Sequence, residues 1–151
     1  MSLLRKVTLL IGRFDNKINR QQRKLTQLRD DFLRIQRTID SLDIELCGMK
    51  SLLKGMHPQG EKLSRAGLFS LRRKQSVIKR RMVNIVLESG QQQLALTNCE
   101  QELIQAQELF KFLQLKTKKY TAIQEKEKIK AAAVHARIEE VEIEERSMWK
   151  K

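Results

Sequence analysis

From Leu4 to Met56 the apolar residues recur by alternating steps of three and four without a slip. The series is Leu4, Val7, Ile11, Phe14, Ile18, Gln21, Leu25, Leu28, Phe32, Ile35, Ile39, Leu42, Leu46, Met49, Leu53 and Met56, and only Gln21 is polar. A mean spacing of 3.5 residues is a heptad seam, which predicts a left-handed coiled coil with one apolar stripe and a solvated back. Arg, Lys, Gln, Asp and Thr fill most of the positions between. A helix of about 50 residues would run roughly 75 Å, far beyond a usual globular helix.

The chain then stops once. Its single proline, Pro58, lies in KGMHPQG, between Gly55 and Gly60. Proline lacks an amide hydrogen and cannot continue a helix, while Gly55 suits a left-handed cap. Ser64 reads as the N-cap of a second helix, unless Gly67 delays full helicity by a turn. A second seam follows through Leu68, Leu71, Gln75, Ile78, Met82, Ile85, Ser89, Gln92, Leu96, Cys99, Leu103, Ala106, Phe110, Leu113, Thr117 and Tyr120. Ser89, Gly90 and Gln92 interrupt it together, and a Ser-Gly pair is a place for a bend. The pattern weakens through Gln124 and Glu127, then returns at Ala131, Val134, Ile138 and Val141. Lys126, Lys128 and Lys130 precede that return; Glu139, Glu140, Glu142, Glu144 and Glu145 accompany and follow it.

Two apolar stripes joined by a short turn bury each other best as an antiparallel hairpin. The expectation is therefore an all-α fold, a single coiled-coil hairpin over 1–151. Its first helix spans 3–55, the turn 56–64, and the longer second helix 65–148, ending in a charged overhang. Centring the turn at 59–60 makes paired numbers sum to about 119. Leu4 then lies near Leu115, Ile18 near Gln101, and the residues after Lys116 have no partner. The same register sets Cys47 near Arg72, roughly 40 Å from Cys99 at helical rise, too far for a bridge.

Charged residues make up 32% of the chain and aromatics 5%, the mixture of long helices. Hydrophobic residues at 40%, in periodic order, exclude a disordered chain. The net charge of +13 is uneven: residues 1–90 hold 20 Lys/Arg against 8 Asp/Glu, and 91–151 hold 11 against 10. A basic half implies an acidic partner surface. Two cysteines are too few for a disulfide scaffold and fit a reducing compartment. No signal peptide is read at the start, and no apolar run is long enough to insert in a membrane.

No catalytic constellation is present. The glycines form no phosphate loop, and His57 and His135 stand apart, without Cys or carboxylates at metal-ligand spacing. Glu139 to Glu145 reads as a solvated helix face, and a two-helix fold offers no enclosed pocket. Neither enzyme activity nor a cofactor or metal is expected. What remains is surface. Arg72-Arg73-Lys74 and Lys79-Arg80-Arg81, one heptad apart, form a basic collar that reads as solubilising charge or as a docking patch. Leu52, Leu63 and Phe69 near the bend read as local packing or as partner contacts, and Trp149 as an anchor.

The stretch LSRAGLFSLRRKQSVIKRRM, Leu63 to Met82, carries a resemblance. Its core is Arg73-Lys74-Gln75-Ser76, two aliphatics and the pair Lys79-Arg80. It resembles the segment after the bend in the small stalk proteins of bacterial type III secretion systems, the SctO group of the invasion-type injectisome. The flagellar export stalk and the coiled coil of the ATP synthase gamma subunit are more distant members of that architecture. The resemblance implies a cytoplasmic virulence-apparatus component that links a hexameric secretion ATPase to the cytoplasmic ring of the export gate and supports substrate and chaperone handling. By analogy the terminal end enters the ATPase pore, with Arg5, Lys6, Lys118, Lys119 and Arg137 as contacts. The bend then faces the gate, with Leu52, Phe69, Arg72, Arg73 and Lys79 as contacts. The alternatives are a basic coiled coil that binds nucleic acid and a generic scaffold. Scarce aromatics, and Asp30, Asp31, Asp40, Asp43 and Glu45 on the first arm, speak against nucleic acid. The chain is expected to be monomeric when free, although its overhang leaves self-association open.

Overall fold

The computed structural model describes residues 2–56 and 64–150. It contains two helices, α1 (Leu3–Gly55) and α2 (Arg65–Trp149), and no strand among the described residues. The fold is an all-α helical hairpin. His57, Pro58, Gly60 and Leu63 lie outside the described residues, so of the expected turn only the rims, Met56 and Ser64, are seen.

Serines open both helices. The Ser2 hydroxyl accepts from the Arg5 amide at 3.3 Å, and the Ser2 carbonyl from the Lys6 amide at 3.3 Å. The Ser64 hydroxyl accepts from the Gly67 amide at 3.1 Å, and its carbonyl from the Leu68 amide at 2.9 Å. Each serine thereby satisfies amides that a helix start leaves without partners. Gly67 sits inside this first turn and does not delay the helix. Gly55 ends α1 without entering the left-handed region. The Met56 amide instead donates to the Leu53 carbonyl at 3.2 Å, a tightened last turn in place of the expected cap. α2 runs without interruption through Ser89 and Gly90.

The chain packs as two compact units, Met1–Leu25 with Gln105–Lys151, and Thr26–Ile104. In the first, Val7, Leu25, Ala106 and Leu113 are buried. Leu4, Ile11, Phe14, Ile18, Phe110 and Tyr120 are half-buried around them. Phe14 stacks on Tyr120 with ring centroids 5.4 Å apart. Gln21 is buried too: its Nε2 donates to the Ala106 carbonyl at 3.1 Å. In the second unit, Leu28, Ile39, Leu42, Ile78, Ile85 and Cys99 are buried, and Ile85 is the most enclosed at 1% exposed. Phe32, Ile35, Leu46, Met82, Leu96 and Leu103 are half-buried. The Cys99 thiol donates to the Leu28 carbonyl at 3.4 Å. Leu68, placed on the seam by its spacing, is exposed.

The register differs from the expected one. Gln21 faces Ala106 in one unit and Leu28 faces Cys99 in the other; both pairs sum to 127. Ile18 is therefore not opposite Gln101, nor Leu4 opposite Leu115. The Gln124 side chain reaches Thr8 Oγ1 at 3.1 Å, and Glu127 is the last half-buried residue of α2. The overhang thus begins after Glu127, not after Lys116. The error is about one heptad, and it has a physical cause. A 3.5-residue seam maps onto itself after a slip of seven residues, so the stripe alone fits several registers equally well. Cys47 falls level with Arg80 rather than Arg72. Both thiols are free, Cys47 exposed and Cys99 buried.

Candidate functional site

In the unit Thr26–Ile104, Leu52, Phe69, Arg72, Arg73 and Lys79 are all exposed. At the observed register Leu52 lies level with Gln75, so α1 and α2 bring these residues to neighbouring levels of one unit. The collar itself is smaller than the sequence suggested. Arg81 is half-buried and turned onto α1, where its Nε and Nη2 donate to the two carboxylate oxygens of Glu45 at 2.8 and 3.0 Å. Glu88 adds a contact at 3.5 Å. These hydrogen bonds, Glu45 first, raise the already high pKa of the guanidinium against the opposing effect of desolvation. Arg81 therefore ties the helices together, and Arg72, Arg73, Lys74, Lys79 and Arg80 are left facing outward.

Sequence reading missed the apolar half of this site. Val83, Val86 and Leu87 are 60%, 57% and 61% exposed, although aliphatic. With Met82 of α2 and Leu46 of α1 they floor an open groove of about 520 Å³, rimmed by Lys50 and Lys79, with no acidic side chain lining it. The signal was present: the seam needs only Met82 and Ile85 here, so aliphatics at 83, 86 and 87 widen the stripe beyond what one partner helix can cover. Exposed apolar patches of this kind mark contact surfaces.

In the unit formed by Met1–Leu25 and Gln105–Lys151, Arg5, Lys6, Lys118 and Lys119 are exposed. The register sets Arg5 and Lys6 level with residues 122 and 121 of α2, within a turn of Lys118 and Lys119, so these four cations lie at neighbouring levels. Arg137 does not join them; it lies 18 residues beyond Lys119, about 27 Å along the helix. Aromatic rings hold two further cations there that the sequence did not single out. Lys116 Nζ lies 4.8 Å from the Phe112 ring centre and 6.0 Å from that of Phe14, and Lys17 Nζ lies 5.6 Å from Phe14. Such contacts hold a charge at a defined place on the surface.

Among the described residues no group of three or more His, Cys, Asp or Glu side chains is placed to hold a metal ion. His135 Nδ1 lies 3.3 Å from Glu139, an i,i+4 contact along α2. Trp149 is 90% exposed and touches no core. The Cys99 thiol is pushed up by burial, with Asp31 and Glu102 adding to the effect and Arg34 opposing it. A raised thiol pKa makes a poorer nucleophile, which fits a packing role. No helix of the described residues is long and apolar enough to cross a membrane. The chemistry on offer is contact: a basic, apolar-floored groove in one unit and a cationic, aromatic-backed level in the other.

A family model described as Salmonella surface presentation of antigen gene type M protein matches residues 5–147. No curated protein and no solved structure matches the chain.

Proposed function

Since the chain belongs to that family, and is thereby a type III secretion-associated protein, we propose that it serves as the stalk between the hexameric secretion ATPase and the export gate. The observation that carries this reading is the family match, which runs over nearly the whole of a two-helix hairpin. The two contact surfaces support it, because each lies in a different unit of the chain. In this reading the cationic level of Arg5, Lys6, Lys118 and Lys119 meets the ATPase pore. The groove of Met82, Val83, Val86 and Leu87, with Lys50, Lys79 and the outward arginines, meets the gate ring or an escorting chaperone. Leu52, Phe69, Arg72 and Arg73 extend that second surface. The work of such a part is mechanical: the paired helices of each unit present a binding surface, so that one chain engages two partners. Its place is the cytoplasmic face of the apparatus.

The test is binding and stimulation with purified partners. K118E/K119E should weaken binding to the ATPase, and its stimulation, while leaving gate binding intact. V83D/L87D should do the reverse. All four positions are exposed, so both variants should keep wild-type helix content and melting temperature. If neither variant changed either interaction, the stalk reading would fail at these surfaces.

A further inference from the structure

Past Glu127, every described residue from Lys128 to Lys150 is exposed. Yet this stretch is amphipathic. Val134, Ile138 and Val141 are 55%, 54% and 53% exposed, and with Arg137 and Glu142 they outline a shallow facet of about 340 Å³. Ala131 continues the stripe at heptad spacing. Charge is divided along it: Lys128 and Lys130 flank the start, Glu142 and Glu144 the end. The local ion pairs are Lys130 to Glu127 at 3.6 Å and His135 to Glu139 at 3.3 Å; Lys128, Glu142 and Glu144 form no ion pair among the described residues.

This distribution selects an occupant. A parallel copy would set Lys128 beside Lys128 and Glu142 beside Glu142. An antiparallel copy, with facing numbers summing to 272, does the opposite. Val134 then meets the second copy's Ile138, and Ala131 its Val141, so the seam closes. Lys128 then shares one flank of the seam with the second copy's Glu142, and Lys130 the other flank with its Glu144. Two-fold symmetry repeats both ion pairs on the other side. The axis passes near Ala136, so Arg137 meets its own copy there, and at the two ends Glu145 comes level with the second copy's Glu127; these are the like-charge contacts of the arrangement. We propose that residues 128–145 of α2 form an antiparallel, two-fold pairing surface for a second copy of this chain. The surface is short and its apolar residues few, so the chain is monomeric when dilute and dimeric when concentrated. The proposal stands on the residues of α2 itself and does not depend on the stalk reading.

The experiment is sedimentation equilibrium of the full chain under reducing conditions over a wide concentration range. Wild type should show a reversible monomer–dimer equilibrium that weakens with salt. K128E/K130E makes the flanks wholly acidic and E142K/E144K makes them wholly basic. Each alone should weaken dimerisation by about tenfold or more, and an equimolar mixture should restore it as a heterodimer. R137A removes the like-charge contact at the axis and should tighten the dimer. None of these positions touches the α1–α2 seam, so helix content and melting temperature of the dilute chain should stay unchanged. A wild type that remained monomeric at the highest concentration would overturn the proposal. So would a dimer indifferent to both charge variants, or a mixture no tighter than its components, since either would place the contact elsewhere.

Discussion

Gln21 offers the sharpest test of what holds the helices in register. It is the only polar residue of the α1 seam, 8% exposed, and bonded to the Ala106 carbonyl at 3.1 Å. Ala106 lies inside α2, so its carbonyl keeps its own helical amide when the glutamine is removed. Deleting the side chain with Gln21→Ala therefore loses one hydrogen bond, about 1 kcal/mol net, plus packing around a partly filled gap. The total should be about 1.5–2 kcal/mol, or roughly 3–8 °C in Tm for a chain of this size. Gln21→Leu is different. It loses the same bond but buries an aliphatic side chain, worth about 1.5–3 kcal/mol when fully enclosed. It should raise Tm by a few degrees, roughly 1 kcal/mol of net gain. The two variants thus move in opposite directions, measurable by circular dichroism melts at one protein concentration. If Gln21→Leu lowered stability as much as Gln21→Ala, the bond itself would dominate and the argument would be wrong. The residue then has a second role. A lone polar group on a seam costs stability and specifies register. Gln21→Leu combined with Arg81→Ala, which releases the tie to Glu45, should let the helices slip by a heptad. Spin labels at Asn16→Cys and Lys111→Cys in a Cys47→Ser/Cys99→Ala background would then show a second, longer distance population, set by an axial offset of about 10 Å.

Other consequences follow from the same packing. Leu28→Ala with Phe32→Ala should cost about 4 kcal/mol, near the low end for core truncations because the seam is only half enclosed, and lower Tm by about 10 °C. Unchanged melting and unchanged export in a cell assay would show that these residues do not hold the helices together. Cys47 should react with a thiol reagent at once and Cys99 only on unfolding. The folded state favours the neutral Cys99 thiol, so its contribution is full below the ordinary thiol pKa, about 8.5, and is lost as pH rises through the raised folded value. Wild type should therefore lose stability more steeply than Cys99→Ala between neutral and alkaline pH; parallel curves would remove the thiol from the account. V83D/L87D should keep its fold and lose its partner in the groove, as read by a pull-down with the gate ring.

Much of the fold was legible because a heptad seam is a local property. All sixteen positions of the first seam, from Leu4 to Met56, are buried or half-buried, and on α2 every marked position from Leu71 to Tyr120 is too. Ser64 as a cap and Gly55 as the end of α1 could be read from a few neighbouring residues. The candidate site was legible only as charge. Arg72, Arg73 and Lys79 face outward as their positions suggested, but Arg81 carries the same charge and is held by Glu45, which lies 36 residues away in sequence. The groove went unread because Val83, Val86 and Leu87 look like ordinary helix aliphatics until the width of the facing helix is known.

The sequence by itself determined two helices, the stripe each buries, and the place where the chain turns, since periodicity and breakers act within a few residues. Only the tertiary structure decided which heptad of α1 meets which of α2. A repeating stripe gains nearly the same burial at every seven-residue slip, so the choice falls to single pairs such as Gln21 with Ala106 and Arg81 with Glu45, whose partners are far apart in the chain. That choice in turn set where α2 outruns α1, and so which residues of its last stretch remain open to another molecule.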